Sequence, residues 1–505
     1  MQLDVLLVTQ TSVSLEIIDD YPYYTNGLYN VYLNDKLVLK NRKTNVFSLY
    51  KLKPNTDYKI SVKFDNEAIS TNFKTLYEEV CLNVLDFNAK ADGIKDDTLA
   101  IQAAIMACPR NGRVFIPKGK YLITSLFLRD DVSIELSKNA VLIGNVNRND
   151  YPILPGLKND CYLGTWEGSP DLAFTSIITG INVKNVLIYG LGVIDCNAQN
   201  GDWWVNHREM RIARRPNGIF LNNCENISFQ GITVKNTPSW NQHPFFSRNL
   251  KYIDISLLSP KNSPTTDGID PESCDNVLIC GVKISVGDDC IAIKSGKLAM
   301  AKKFKTPSSN ITIRNSLMKY GHAGVTIGSE LSGGINNINV NKCVFYKTDR
   351  GLRIKSQRGR GKDAIVNNVK FDNIVMDNVL CPLVINMMYK AGSDKGNEER
   401  WSDEKQSVTS LTPSLGTFEF NNIKATNIEW GAGYFWGLKE SPIKKIIINN
   451  SSFIFKNKAR GGIIAMSLKN NYCKKQGLTF INVKNYELNN VYIDGQKGEK
   501  IIEVK

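Results

Sequence analysis

No apolar run in the 505-residue chain approaches the roughly 20 residues that a membrane-crossing helix needs. Its eleven cysteines are odd in number and irregularly spaced, which argues against a disulfide framework and points to a reducing compartment. There is no Cys-x-x-Cys pair and no cluster of histidine with cysteine, so no zinc site is expected. Helix-turn-helix, zinc-finger and RNP patterns are missing, which sets nucleic acid aside as a partner. The stretch Met1–Val8 lacks the basic segment and long apolar core of a secretory leader. A cytoplasmic protein is therefore expected, the alternative being a secreted form whose leader has been removed. Helical periodicity is nearly absent after residue 107.

What is present begins with length. A chain of 505 residues exceeds one ordinary globular core, so two domains or a repeat architecture is expected. The net charge of +14 fits an anionic partner, an acidic polysaccharide among them, or else a lysine-rich surface. Residues 1–76 read as short strands. Val13, Leu15 and Ile17 alternate with polar residues, as do the residues of Tyr29–Leu33 and Tyr58–Phe64. Pro54–Tyr58 places a turn before a Tyr at a strand start, the pattern of a tyrosine corner. This segment resembles a fibronectin type III β-sandwich. A linker follows over 76–82.

Residues 83–505 read as a second, all-β domain. Asp97 is positioned to cap a short helix near 97–107, which would cover the open first coil of a solenoid. Beyond it, short segments recur that open with Asn and a branched apolar residue: Asn185, Asn226, Asn249, Asn276, Asn310, Asn337 and Asn368. Such a repeat predicts a right-handed parallel β-helix, with Asn at turns that accept left-handed backbone and stack between coils. Long polar insertions at 141–175, 197–217, 297–309 and 391–416 carry Trp166, Trp203, Trp204 and Trp401, which are candidates to line sugar subsites.

Four polar clusters follow Asn-led segments: Thr265–Asp270, Gly287–Cys290, Gly321–Gly324 and Arg353–Lys355. Twelve residues separate Asn276 from Asp288, and twelve separate Asn310 from His322. Equal offsets place Asp288 and His322 at one angle on successive coils, with Asp267 and Arg353 flanking them. Three carboxyl groups in adjacent coils suit glycoside hydrolysis. A proton must reach the leaving oxygen while a carboxylate activates water. Asp288 and Asp289 are adjacent, so Gly287 must bend the chain for both to face one groove. Arg353 and Lys355, two apart on a strand, share a face suited to a substrate carboxylate. Taken singly, each cluster is ordinarily a turn or a solvated strand.

In this order, Thr-Asp-Gly-Ile-Asp, Gly-Asp-Asp-Cys, Gly-His-Ala-Gly and Arg-Ile-Lys resemble glycoside hydrolase family 28, the polygalacturonases, over about residues 80 to 490. Gly192–Asp195 and Pro238–Trp240 before His243 add to the likeness. The resemblance implies Asp288 as general acid, Asp267 and Asp289 as the pair activating water, and His322 as support for the acid. It implies Arg353 and Lys355 as galacturonate-carboxylate ligands, with Thr265, Trp240 and His243 as further substrate contacts. It further implies inversion at the anomeric carbon and no metal or other cofactor. The module together with the insertions resembles exo-acting bacterial members. Rivals are a hydrolase of rhamnogalacturonan or substituted galacturonan, a non-catalytic polysaccharide-binding β-helix, and a calcium-dependent lyase. Two departures stand out: Thr265 where the pattern has Asn, and Ala323 where it has Gly.

Overall fold

The computed structural model describes residues 1–65, 67–390, 398–467 and 471–504. At the N-terminus two antiparallel sheets face each other. One holds Gln2–Val8, Ser12–Ile18 and Val46–Tyr50; the other holds Lys36–Thr44, Tyr24–Leu33, Asp57–Lys63 and Ala68–Lys74, in those orders. Val13, Leu15, Ile17, Val31, Phe47, Ile60 and Val62 fill the space between them. The Tyr58 hydroxyl accepts from the Lys53 amide at 2.9 Å, tying the turn to the strand start.

The rest of the chain winds into a right-handed parallel β-helix. Its largest sheet has 23 strands and begins with Cys81–Asn83, inside the stretch read as linker. A second face starts at Leu126–Phe127 and runs to Ile501–Val504. After Asp267 that face is continued by the isolated pairings Gln242–Ile269, Ile269–Ile291, Phe245–Glu272 and Glu272–Lys294. Aliphatic and aromatic side chains stack inside, coil upon coil. Outside, the Asn-led turns form the expected stack. Asn226 donates to Asn185, Asn249 to Asn226, Asn276 to Asn249, and Asn337 to Asn310, at 2.8–3.1 Å. Each has positive φ between 53° and 58°. One rung departs: Asn310 donates to Asp275 instead of Asn276.

The helix α1 (Thr98–Ala107) covers the first coil through Ile101, Ala104 and Ile105. Its capping differs from expectation. The Thr98 amide bonds Asp96 Oδ1, whereas the Asp97 carboxylate takes the amides of Lys90 and Ala91. Proximity in sequence favoured Asp97, but the incoming loop turns those two donors toward it. A second helix, α2 (Leu298–Phe304), lies in the insertion after residue 296. Its apolar residues join Tyr162, Phe220 and Phe245, so packing rather than periodicity makes it helical.

Alternation in Ser12–Ile18 predicts a solvated polar face, yet Ser12, Ser14 and Glu16 are buried. That face lies against the β-helix. Thr11 bonds Glu135 at 2.7 Å, and Ser12 and Ser14 both bond Gln230. Glu16 receives the Arg314 guanidinium at 2.8–3.0 Å and the Asn315 amide at 2.6 Å. The Asp19 and Asp20 carbonyls accept from Lys342 and Asn373. Glu135, Tyr189, Gln230, Ile253, Cys280, Arg314, Asn341 and Asp372 are paired in one line across successive coils. Residues 11–20 therefore run along the solenoid axis.

Candidate active site

Register brings the four clusters together. Ile291 pairs with Val325, and Asp288 and His322 each lie three residues earlier. Ile269 is paired with Ile291, and Asp267 and Asp289 each lie two residues earlier. Arg353 pairs with Thr326, one coil further on, and Lys355 follows on the same face. One carboxylate oxygen from each of Asp267, Asp288 and Asp289 lies within 4.8 Å of the other two. Gly287 supplies the bend that lets adjacent aspartates converge. A Cβ there would come within 2.2 Å of the Ser263 carbonyl.

The three carboxyls have different surroundings. Asp288 is the outermost, with 25% of its side chain exposed, and its Oδ1 lies 3.1 Å from His322 Nδ1. That hydrogen bond raises the His322 pKa above its ordinary value and outweighs partial burial. Burial, with Asp288 and Asp270 nearby, pushes the Asp267 carboxyl well above the usual range. Burial opposes ionisation of Asp289 too. There Lys355, at 2.9 Å, and Arg353, at 3.6 Å, outweigh it and hold the carboxyl well below that range. Asp267 and Asp289 thus stand side by side with their carboxyls pushed in opposite directions. The carboxylates are also close enough to ligate a cation, though two side-chain cations already neutralise Asp289.

Other expected contacts lie elsewhere. His243 is 1% exposed; Nε2 meets Glu272 at 2.9 Å and Nδ1 meets Asn217 at 3.2 Å. Both nitrogens are engaged, so His243 underlies Trp240, 4.6 Å away edge-on, and is not open to substrate. Trp240 carries the Lys294 ammonium 4.7 Å from its ring centre. The Thr265 hydroxyl is taken by Arg215 at 2.7 Å. Ala323 is fully buried and pairs with Arg350. Of the tryptophans, Trp203 packs in the core against Tyr151 and Phe174, and Trp401 is buried on Gln357 and the Tyr389 carbonyl. Trp166 and Trp204 remain partly exposed. Residues 391–397 of the last insertion lie outside the described residues.

Sequence reasoning missed three charged groups beside the triad. Lys294 lies 3.5 Å from Asp270 and 3.3 Å from Glu330. Strand alternation was the available signal: Lys294 shares an outward column with Lys355, with Gly328 between them.

Two insertions pair with each other close to Thr265. Residues 172–174 pair with 213–215 through Ala173 and Arg214, and Phe174 donates to the Arg214 carbonyl. Trp166 lies 5.6 and 5.4 Å from the Arg214 and Arg215 guanidiniums. Tyr162 packs on Phe245 and Phe304 over the sheet face. Arg215 of the second insertion in turn donates to the Thr265 hydroxyl, two residues before Asp267.

The sequence pattern of Glycosyl hydrolases family 28 matches residues 116–409. A "Probable polygalacturonase" of Vitis vinifera is 29% identical over 75% of this chain and 75% of its own. The family 28 exopolygalacturonase of Yersinia enterocolitica superposes with a TM-score of 0.74 at 20% identity, covering 100% of this chain and 98% of that one. A hyperthermoactive exopolygalacturonase of Thermotoga maritima does so with 0.67 at 26% identity, covering 83% and 93%. With the match spanning more than half of its length, the chain belongs to glycosyl hydrolases family 28 and is a glycoside hydrolase.

Proposed function

We propose that the protein hydrolyses α-1,4-galacturonosyl linkages of polygalacturonate and its oligomers, acting at a chain end. The observation that carries this reading is the junction of two long insertions, residues 172–174 on 213–215, whose Arg215 reaches Thr265 beside Asp267; such a wall would shut one end of the groove. A groove shut at one end accepts a terminus and refuses the middle of a polymer. The similar Thermotoga maritima exopolygalacturonase supports the same reading.

In this mechanism Asp288, facing solvent beside His322, gives its proton to the leaving oxygen as the bond from the anomeric carbon breaks. Asp289 takes the proton of the attacking water, which Asp267 orients. Lys355 and Arg353 neutralise Asp289 in the free enzyme. A galacturonate carboxylate arriving on these cations competes with Asp289, raises its pKa and makes it a stronger base. A neutral sugar leaves Asp289 tied. The result is inversion at the anomeric carbon. NMR of the first product anomer is a direct check, and retention would overturn the scheme.

The test of function is incubation with trigalacturonate and polygalacturonate in EDTA. Saturated mono- or digalacturonate from the outset supports the reading. A ladder of mixed oligomers would reject chain-end action. Ultraviolet-absorbing products without EDTA, abolished with it, would identify a lyase. No product from either substrate would move the assignment to rhamnogalacturonan or to binding alone. The cytoplasmic location expected above is a further proposal, consistent with eleven free cysteines; fractionation of the source cells tests it.

A further inference from the structure

The strands that floor the groove continue past Arg353 and Lys355, but the open groove does not. On the next strand Arg353 pairs with Val384 and Lys355 with Asn386; on the strand after, these meet Tyr434 and Trp436. Alternation sets all four on the outward face, where an open groove would leave them accessible. They are only 2–6% exposed. Over this part of the floor lies a segment between the strand that ends at Phe455 and the one that begins at Gln476. Within it Gly462–Ile463 pairs antiparallel with Tyr472–Cys473.

Bonds to successive floor positions fix the path of residues 462–466. Arg350 Nη2 donates to the Ile463 carbonyl at 2.9 Å and to the Ile464 carbonyl at 3.1 Å. Asn386 Nδ2 donates to the Met466 carbonyl at 2.9 Å, and the Lys390 amide donates to it at 3.1 Å. Gly462 lies so close to Trp430 that a Cβ would come within 2.3 Å of the indole, and the Arg350 guanidinium sits 4.9 Å from that ring centre. The backbone is thus anchored on both coils. The Met466 side chain is different: the residue is 42% exposed, and its sulfur lies 2.9 Å from Arg353 Nη2. A thioether on an unbranched stem is bulky enough to obstruct and soft enough to be pushed aside. Arg358, the next cation along the chain, is engaged by Glu440 and by the carbonyls of Arg400 and Ser402, so it offers nothing to a further acidic sugar.

We propose that Met466 is a specificity-determining residue that ends the groove at the sugar whose carboxylate Arg353 and Lys355 hold, so that short oligogalacturonides are preferred to longer chains. This inference rests on the hydrolase reading above. In that reading the junction at Thr265 bounds the other side, so the rest of a longer chain has to leave past Met466. It does so only by displacing the thioether and rising off the floor. Sugars beyond that point add no contact and carry the cost of the displacement.

The experiment is steady-state kinetics on trigalacturonate and hexagalacturonate. Wild-type turnover of the trimer comes first; its absence would remove the hydrolase reading, and this inference with it. With turnover established, wild-type kcat/KM is expected to fall at least about threefold from trimer to hexamer, chiefly through KM. Met466→Ala should raise the hexamer-to-trimer ratio of kcat/KM at least about threefold. Met466→Leu, which keeps the bulk, should keep the wild-type ratio. A wild-type enzyme that turns over the hexamer as well as the trimer, or better, overturns the proposal. So does a ratio that Met466→Ala leaves unchanged, which is the pattern of a residue that only holds its segment in place. Should Met466→Ala fail to fold by circular dichroism, the length dependence of the wild type decides alone.

Discussion

Two buried carboxylates, Glu16 and Asp289, make an instructive pair. Each is almost wholly removed from solvent. Glu16 receives a forked guanidinium and an amide, and both of its oxygens are engaged. Asp289 is held by Lys355 through one oxygen, while its Oδ1 lies 3.6 Å from Arg353 without a hydrogen bond. Saturated pairing holds two parts of a chain together. Unsaturated pairing, with spare cation capacity at Lys355 and Arg353, leaves room for a ligand's own charge. The difference separates a clasp from a site more clearly than burial does.

Substitutions should break this comparison in opposite directions. Asp288→Asn is expected to lower turnover about a thousandfold while leaving the melting temperature unchanged; residual activity above a few per cent would reassign the acid. Lys355→Ala should raise KM for oligogalacturonides about 10- to 100-fold. It should also move the acidic limb of the pH–rate profile upward, because Asp289 loses the cation that depresses its pKa. An unmoved limb would mean that Asp289 is not the base. Glu16→Gln strands Arg314 and should cost about 2–3 kcal/mol in denaturant unfolding, less than a fully buried pair because Arg314 is partly solvated. Its kcat should be unaffected, and a matching loss of activity would make the clasp part of the site.

Asp267→Asn should abolish activity yet raise the melting temperature at pH 7. The folded carboxyl has its pKa raised, whereas the unfolded one ionises near 3.9. Folding therefore resists ionisation at neutral pH and not below pH 4, where the gain should vanish. The smallest effect is expected for Asn249→Ala on the outer stack, about 1–2 kcal/mol from two lost exposed hydrogen bonds, one donated to Asn226 and one accepted from Asn276, and from left-handed backbone at φ 56°.

Much of this was legible beforehand because a solenoid turns sequence offset into angle. Equal spacing from Asn276 and Asn310 aligned Asp288 with His322, and the register keeps them aligned. The same Asn residues declared the turns through their tolerance of positive φ. Three features were hidden for a common reason: they depend on chain that arrives from far away. His243 reads as a groove residue until Asn217 and Glu272 take its nitrogens. Trp203 reads as a subsite platform until Tyr151 and Phe174 enclose it. Ser12, Ser14 and Glu16 read as a solvated strand face because nothing local announces Gln230 and Arg314.

The strand that carries Glu16 also bears on how the molecule opens. Coils of a solenoid touch only their neighbours, so such a structure frays from its ends one repeat at a time. Residues 11–20 lie across the coils from Glu135 to Asn373 and bond to several of them at once. No coil beneath that strand can detach without releasing it, so those coils should exchange their amide hydrogens as one unit. Coils beyond Asn373 lack the splint and should exchange earlier. The cooperativity of the solenoid is thus lent to it by a small sandwich that is no part of the repeat.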